Sequence, residues 1–371
     1  MTARPVFLFA GGGTGGHLFP GIALVEALRL RRPEVVPLFV GSDREIERRI
    51  MQQHGLAHRA MSTASLRDLT QRPDRFVWRN WRAAVQASQI IEKKRPELVI
   101  GLGGFASAPL VWAAHRARVP VVLLEQNAIP GRATCWLAPY AKMVCTTFPE
   151  SLEWIPTSRP VIVSGNPIRS AVAELFHEPL GRSDAAAERT LLVLGGSQGA
   201  DGLNTALMEL VRRHHHELSG WTVIHQTGPR QLDSVRATYR ELGQTAVVHD
   251  FFEDLTDLYR RADVVISRAG ATTMSELACA GKPTVLVPYP HAADNHQRAN
   301  AESFARQAAA VIVEQASACP ETAGRLWSVL EPLLRDPNQR LAMGQAARDI
   351  ARPDAADRVL DLLLDQQRTA A

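Results

Sequence analysis

Four stretches of this 371-residue chain carry the residue types and spacing that could do chemistry. The first is Gly11-Gly12-Gly13-Thr14-Gly15-Gly16-His17, between an apolar run at Val6–Ala10 and a helical pattern over Pro20–Arg31. Glycines there let the backbone come close to a phosphate-bearing ligand at a helix N-terminus. Unpaired N–H groups and the helix dipole favour an anion at such a point. Gly103-Gly104-Phe105-Ala106-Ser107-Ala108-Pro109 repeats the arrangement after Leu98–Gly101. Gly195-Gly196-Ser197-Gln198-Gly199-Ala200 repeats it again after Thr190–Leu194. In the fourth stretch, a β-branched run (Val264, Val265, Ile266) enters a loop over Arg268–Thr273, where Gly270 can turn without a Cβ penalty. Thr272, Thr273 and Ser275 bring hydroxyls and free amides to the start of a helix over Met274–Ala280. Glu276, one turn in, can accept hydrogen bonds from a vicinal diol. The plainer alternative is an ordinary loop with a capping threonine and a solvated glutamate.

Gly11, Gly13 and Gly16 also satisfy the dinucleotide pattern GxGxxG, so NAD is a rival ligand. That pattern wants an acid about 20 residues on. Asp43 follows a strand at Val35–Val40 but lies 27 residues past Gly16.

The elements that must hold these loops recur. Strand, glycine loop and helix at Gly11 return 184 residues later at Gly195, which suggests two Rossmann-like halves. The length suits two domains, and 46% hydrophobic with 22% charged residues is the make-up of a soluble globular protein. Net charge is +4, enough to favour anionic partners without pointing to nucleic acid. Further strands are expected at Val121–Leu124, Val161–Val163, Val223–Gln226, Val247–His249 and Thr284–Pro288. Gly165 and Pro167 suggest a hinge over Ser164–Arg169. Residues 322–350 read as helical with Leu326, Val329, Leu333 and Leu341 buried. A last helix, Ala355–Leu364, carries Val359, Leu360 and Leu363.

The cysteines, Cys135, Cys145, Cys279 and Cys319, are widely spaced and read as small core residues in a reducing compartment. His214-His215-His216 reads as a solvated helix end, not a metal site. The apolar run Val6–Ala10 is too short for a secretory leader. The uncharged run Leu98–Ala114 contains glycines and a proline, so strand, loop and helix fit it better than a membrane span. A cytoplasmic protein that touches a membrane without crossing it is expected. Residues 72–82, RPDRFVWRNWR, would make the contact. At helical spacing Trp78, Trp81 and Arg82 share one side, flanked by Arg75 and Arg79. Aromatic bodies with basic heads suit an anionic lipid interface. The rival reading makes these tryptophans core.

Several motifs in order resemble one family. Glu276, Gly281, Pro283, Pro288, His296, Gln297 and Asn300 resemble the donor signature of nucleotide-sugar glycosyltransferases with the two-Rossmann GT-B fold. GGTGGHxxPxxAL (Gly12 to Leu24), the Gly103–Pro109 loop and Glu125-Gln126-Asn127 resemble glycosyltransferase family 28. In particular they are similar to the N-acetylglucosaminyltransferases that make lipid II from lipid I in peptidoglycan synthesis.

The resemblance implies an α/β protein with two Rossmann-like domains facing a cleft. Residues 1–166, with the C-terminal helix 351–371 packed back on them, would bind acceptor and membrane; residues 167–350 would bind UDP-N-acetylglucosamine. It implies inverting transfer of the sugar to the C4 hydroxyl of lipid I on an anionic membrane. The enzyme would sit peripherally on the cytoplasmic face, among the cell-wall and division machinery. His17 corresponds to the residue proposed to act near the reacting hydroxyl. An imidazole is a reasonable base near neutral pH, though the ring could instead orient the loop. Glu125 is the rival base, or a buried carboxylate ordering nearby loops. Gly103, Gly104 and Ser107 would face the acceptor.

For the donor, the resemblance implies Glu276 on the ribose, the backbone of Phe252 on uracil, and Asn127, Gln297 and Asn300 near the sugar. Arg169, Ser197 and the amides of Ala271, Thr272, Thr273, Met274 and Ser275 would hold phosphates. Thr14, Gly15 and Gly16 are also placed against the donor. No cofactor and no metal are expected, since amides, helix N-termini and Arg169 can stabilise the leaving UDP and no Asp-x-Asp occurs. Another GT-B transferase and a UDP-sugar epimerase are the nearest rivals.

Overall fold

The computed structural model describes residues 4–12, 15–62, 72–181, 189–196 and 199–368. The chain forms two compact units, Met1–Ser170 with Asp354–Ala371, and Ala171–Pro353. The division falls after Ser170, so Arg169 belongs to the first unit.

The first unit holds seven parallel strands: β1 Val6–Gly11, β2 Val36–Gly41, β3 His58–Ala60, β4 Leu98–Gly103, β5 Val121–Glu125, β6 Met143–Thr146 and β7 Val161–Val163. Their order is β3-β2-β1-β4-β5-β6-β7. Strand alternation divides the core between the two sheet faces. Phe7, Phe9, Leu98 and Ile100 face the helix Gly15–Arg31 and Val359, Leu360 and Leu363 of the C-terminal helix Ala355–Arg368. Leu8, Ala10, Val99 and Leu123 pack with Ala87, Ile90, Leu110 and Val111 of the helices Pro73–Lys94 and Ala108–Arg116. The C-terminal helix is clamped onto this unit by those three aliphatic residues, each worth about 2 kcal/mol when buried, and by an Arg31–Asp361 ion pair at 2.6 Å.

The second unit holds six parallel strands: β8 Arg189–Leu194, β9 Trp221–Gln226, β10 Ala246–His249, β11 Val264–Ser267, β12 Thr284–Leu286 and β13 Val311–Ile312. The order is β10-β9-β8-β11-β12-β13. Leu191, Val193, Val264 and Ile266 pack against Leu203, Leu207 and Leu210 of the helix Asp201–His214 and Leu326, Leu330 and Leu333 of the helix Cys319–Arg335. Both sheets thus reverse direction beside their first strand, the switch point where open parallel sheets bind ligands.

Local expectations differ from the structure in several places. The stretch 322–350 is not continuous. Pro337 disfavours helical backbone at Asp336, which instead caps a new helix, Pro337–Asp349, by accepting from Asn338 N at 2.8 Å. The break resets the helical face, so Met343 and Ala347 are buried while Leu341 is exposed. His214 is half-buried and stacks flat on Trp327 at 3.9 Å rather than standing in solvent. The helix after β11 begins at Ala271, so Thr272 and Thr273 lie inside its first turn. Among the described residues no helix is long and apolar enough to cross a membrane.

Candidate active site

The first unit gathers its chemistry at the carboxyl ends of β1, β4 and β5, the strands flanking its switch point. Gly103 and Gly104 both have positive φ, 96° and 74°, which only glycine takes without strain. A Cβ on Gly103 would lie 3.2 Å from His17 Nδ1, and one on Gly104 would lie 3.1 Å from the Gly12 carbonyl oxygen. The second glycine loop therefore closes on the imidazole and meets the first at Gly12. His17 Nδ1 lies 3.2 Å from Gln126 Oε1. The Gln126 amide is oriented by Nε2 donating to the Leu124 carbonyl at 3.4 Å, so its oxygen faces the ring. In a neutral ring whose Nδ1–H donates to this oxygen, Nε2 carries the lone pair. Among the described residues no hydrogen bond occupies that lone pair.

Glu125 ends β5 and is 4% exposed. Oε1 accepts from Asn127 N at 2.9 Å and Asn127 Nδ2 at 3.2 Å, and Oε2 accepts from Gly131 N at 3.0 Å. Both carboxylate oxygens thus tie down the loop that follows. Ser107 is buried and donates to the Gly104 carbonyl at 2.7 Å, bracing the second glycine loop. Gly15 is buried and Gly16 exposed at the start of the first helix. Thr14, like Gly13, lies outside the described residues. Arg169 packs its guanidinium over the Phe19 ring at 5.4 Å.

In the second unit the ends of β8, β11 and β12 play the matching part. Gly196 and Gly199 have φ of 79° and 76°. Ser197 and Gln198 between them lie outside the described residues. Gly270 caps the helix Ala271–Cys279 in an extended conformation. Ala271, Thr272 and Met274 of its first turn are buried, with Thr273 and Ser275 half-buried. Ser275 Oγ returns to the Ala271 carbonyl at 3.0 Å. Glu276 is 3% exposed, and its Oε2 accepts from the Tyr259 hydroxyl at 2.8 Å. It is therefore not the solvated glutamate of the plainer reading.

Gln297 Oε1 accepts from Tyr289 N at 2.9 Å, and fully buried Asn300 donates to the Ala269 carbonyl at 3.2 Å. These two amides brace the loops after β12 and β11. Arg268, 8% exposed, spans the same loops, donating to the Val287 and Pro288 carbonyls and to Gln315 Oε1. Burial pushes its guanidinium down to about 10. Phe252 is half-buried beside His249.

On the helix Pro73–Lys94, Trp78 and Trp81 are 55% and 63% exposed, so they are not core. Arg75, Arg79 and Arg82 are exposed beside them, and Arg82 lies over the Trp78 ring at 4.7 Å. Sequence reasoning gave no role to Gln126, Tyr259 or Glu47. Gln126 was visible only as the middle of a motif. Tyr259 and Glu47 lie in short charged segments whose pattern reads as solvated surface.

Comparisons with known proteins agree with this architecture. Residues 7–146 match the glycosyltransferase family 28 N-terminal domain, and residues 190–359 match the glycosyltransferase family 28 C-terminal domain. A relative from Geobacter sulfurreducens is 38% identical, with 97% of this chain and 98% of the relative covered. Another, from Xanthomonas axonopodis pv. citri, is 39% identical over 98% of this chain and 82% of its own length. Both are called UDP-N-acetylglucosamine–N-acetylmuramyl-(pentapeptide) pyrophosphoryl-undecaprenol N-acetylglucosamine transferase. The crystal structure of Acinetobacter baumannii MurG superposes with a TM-score of 0.73 at 29% identity, covering 97% of this chain and 99% of that one. A UDP-N-acetylglucosamine 2-epimerase superposes at 0.69 with 13% identity, a likeness of fold alone. With both halves matched in order and relatives aligned along nearly its whole length, the chain belongs to glycosyltransferase family 28.

Proposed function

We propose that this protein transfers N-acetylglucosamine from UDP-N-acetylglucosamine to the C4 hydroxyl of the muramoyl sugar of lipid I, forming lipid II. The observation that carries the reading is full-length likeness to transferases named for that donor and acceptor, joined to a preoriented imidazole packed on the second glycine loop.

His17 is the base in this mechanism. The acceptor hydroxyl gives its proton to Nε2 as its oxygen attacks the anomeric carbon; the bond to the UDP oxygen breaks with inversion. Glu125 is the weaker candidate, because both its oxygens already accept backbone N–H groups. It orders the loop that presents Asn127. Charge appearing on UDP is met by backbone amides of the glycine loops, the N-terminus of the helix Ala271–Cys279 and Arg169. Glu276 holds the ribose hydroxyls, the Phe252 backbone the uracil, and Gln297 the sugar. Gly103, Gly104 and Ser107 form the acceptor loop. The exposed Trp78, Trp81, Arg75, Arg79 and Arg82 rest on the anionic cytoplasmic face of the membrane, where the lipid acceptor lies.

The test is UDP release from UDP-N-acetylglucosamine with and without a short-chain lipid I analogue. Acceptor-dependent release is expected, and His17→Ala should abolish most of it. Release without any acceptor, or UDP binding without turnover, would overturn the reading.

A further inference from the structure

Among the described residues of the first unit, Glu47 is the most completely buried carboxylate, at 0% exposure, and it takes no part in the chemistry above. It sits on the helix Glu45–Gln53, where four of nine residues are charged. Its side chain reaches inward to the ends of β1 and β2. Oε2 accepts from Ser42 N at 3.0 Å, and Oε1 accepts from the Ser42 hydroxyl. His58 Nε2, on the edge strand β3, stands 3.7 Å from Oε2. A carboxylate this far from water needs donors such as the two from Ser42; His58 Nε2 approaches without a hydrogen bond.

The carboxylate also leaves no room for a side chain at Gly12, and it adds to the crowding at Gly41, where the Gly11 carbonyl oxygen is nearer still at 2.4 Å. A Cβ on Gly12 would lie 2.4 Å from Glu47 Oε2, and a Cβ on Gly41 would lie 2.7 Å from the same atom. The group is thus wedged between the ends of two adjacent strands, against the first residue of the glycine loop past β1. That loop leads directly into His17, which packs on Gly103 and Gly104. A wedge at Gly12 fixes where the chain leaves the sheet on its way to His17, and so bears on where the imidazole points.

We propose that Glu47 is a positioning residue for the first glycine loop. It holds Gly12 just past the end of β1, against the second glycine loop on which His17 packs, and so helps aim His17 at the acceptor. This rests on the reading of the first unit as the acceptor half.

The experiment compares wild type with Glu47→Gln, Glu47→Ala and Ser42→Ala. Three readouts are taken: amide hydrogen exchange of the peptide spanning Gly11–Leu18, UDP affinity, and steady-state kinetics with the lipid I analogue varied. The proposal expects faster exchange in that peptide and UDP affinity within about twofold of wild type. It also expects acceptor kcat/KM lower by about tenfold for Glu47→Ala, with a smaller loss for Glu47→Gln. A purely structural glutamate would lower thermal stability without this split between acceptor and donor. Unchanged exchange in Gly11–Leu18, or equal losses for UDP and acceptor, overturns the proposal. If Glu47→Ala does not fold, Glu47→Gln and Ser42→Ala decide by the same readouts. If wild type itself fails to transfer, the functional reading falls, and the exchange measurement alone still decides whether Glu47 holds the loop.

Discussion

The Tyr259 hydroxyl donates to Glu276 Oε2 at 2.8 Å with both side chains buried, Tyr259 at 0% and Glu276 at 3% exposure. The pair links the helix Thr256–Arg261 to the helix Ala271–Cys279, on either side of β11. One carboxylate oxygen is thereby fixed, which sets the direction of the other. Tyr259→Phe keeps the ring and removes only the donor. The expected result is UDP binding weaker by about tenfold, near 1.4 kcal/mol, since a buried acceptor loses one of its donors. Isothermal titration with UDP checks it. Unchanged affinity would show that the tyrosine does not orient the ribose site.

The His17–Gln126 contact makes a second prediction. Gln126→Ala removes the acceptor that holds Nδ1–H, leaving the ring free to take the other tautomer. Turnover should fall by about tenfold to a hundredfold with acceptor KM little changed, the signature of a misaligned base. Glu125→Gln should behave differently. It disturbs the hydrogen bonds to Asn127 N and Gly131 N, so stability should drop by about 1–3 kcal/mol together with activity. Loss of turnover with undiminished thermal stability would instead make Glu125 the base.

The exposed tryptophans give a prediction about membranes. Replacing Trp78 and Trp81 with serine should lower binding to vesicles containing anionic phosphatidylglycerol, measured by sedimentation. Turnover of a water-soluble acceptor analogue should stay the same. Raising the salt should weaken the wild-type interaction, because the arginine contribution is screened. Salt-insensitive binding, or equal binding by the variant, would count against this face as the contact.

A fourth prediction concerns pH and stability. His225 is fully buried on β9, between the Tyr239 hydroxyl and Asn204 Oδ1, each at 3.1 Å. Burial pushes its imidazole down to about 3. The folded protein therefore keeps this histidine neutral at pH values where the unfolded chain, titrating at 6.5, protonates it. Its contribution is full above that unfolded value and drains away as pH falls towards the folded one. The limiting slope is about 1.4 kcal/mol per pH unit. Urea midpoints measured at about pH 7 and about pH 5 should show a loss in wild type that shrinks in His225→Gln. An identical loss in both would assign the acid sensitivity to other groups.

What the amino-acid sequence determined by itself was the architecture and the inventory of loops. Short apolar runs such as Val6–Ala10 and Val264–Ile266, bounded by glycine loops, read as buried parallel strands, and the glycines at their ends announce loops that approach a ligand. Both are local properties of the chain, with the period of a strand or the freedom of a missing Cβ behind them. The helix of Trp78 and Trp81 was legible as amphipathic; only the tertiary structure decided that its tryptophans face outward. It likewise decided that Pro337 turns Leu341 into solvent. Assignments of role required contacts between residues far apart in the chain. Gln126 meets His17 across 109 residues. Glu47 lies beneath Gly12 because β1 and β2 are neighbours. A carboxylate's meaning depends on which donors surround it, and that is set by how strands pair and helices pack, not by the residues beside it in the sequence.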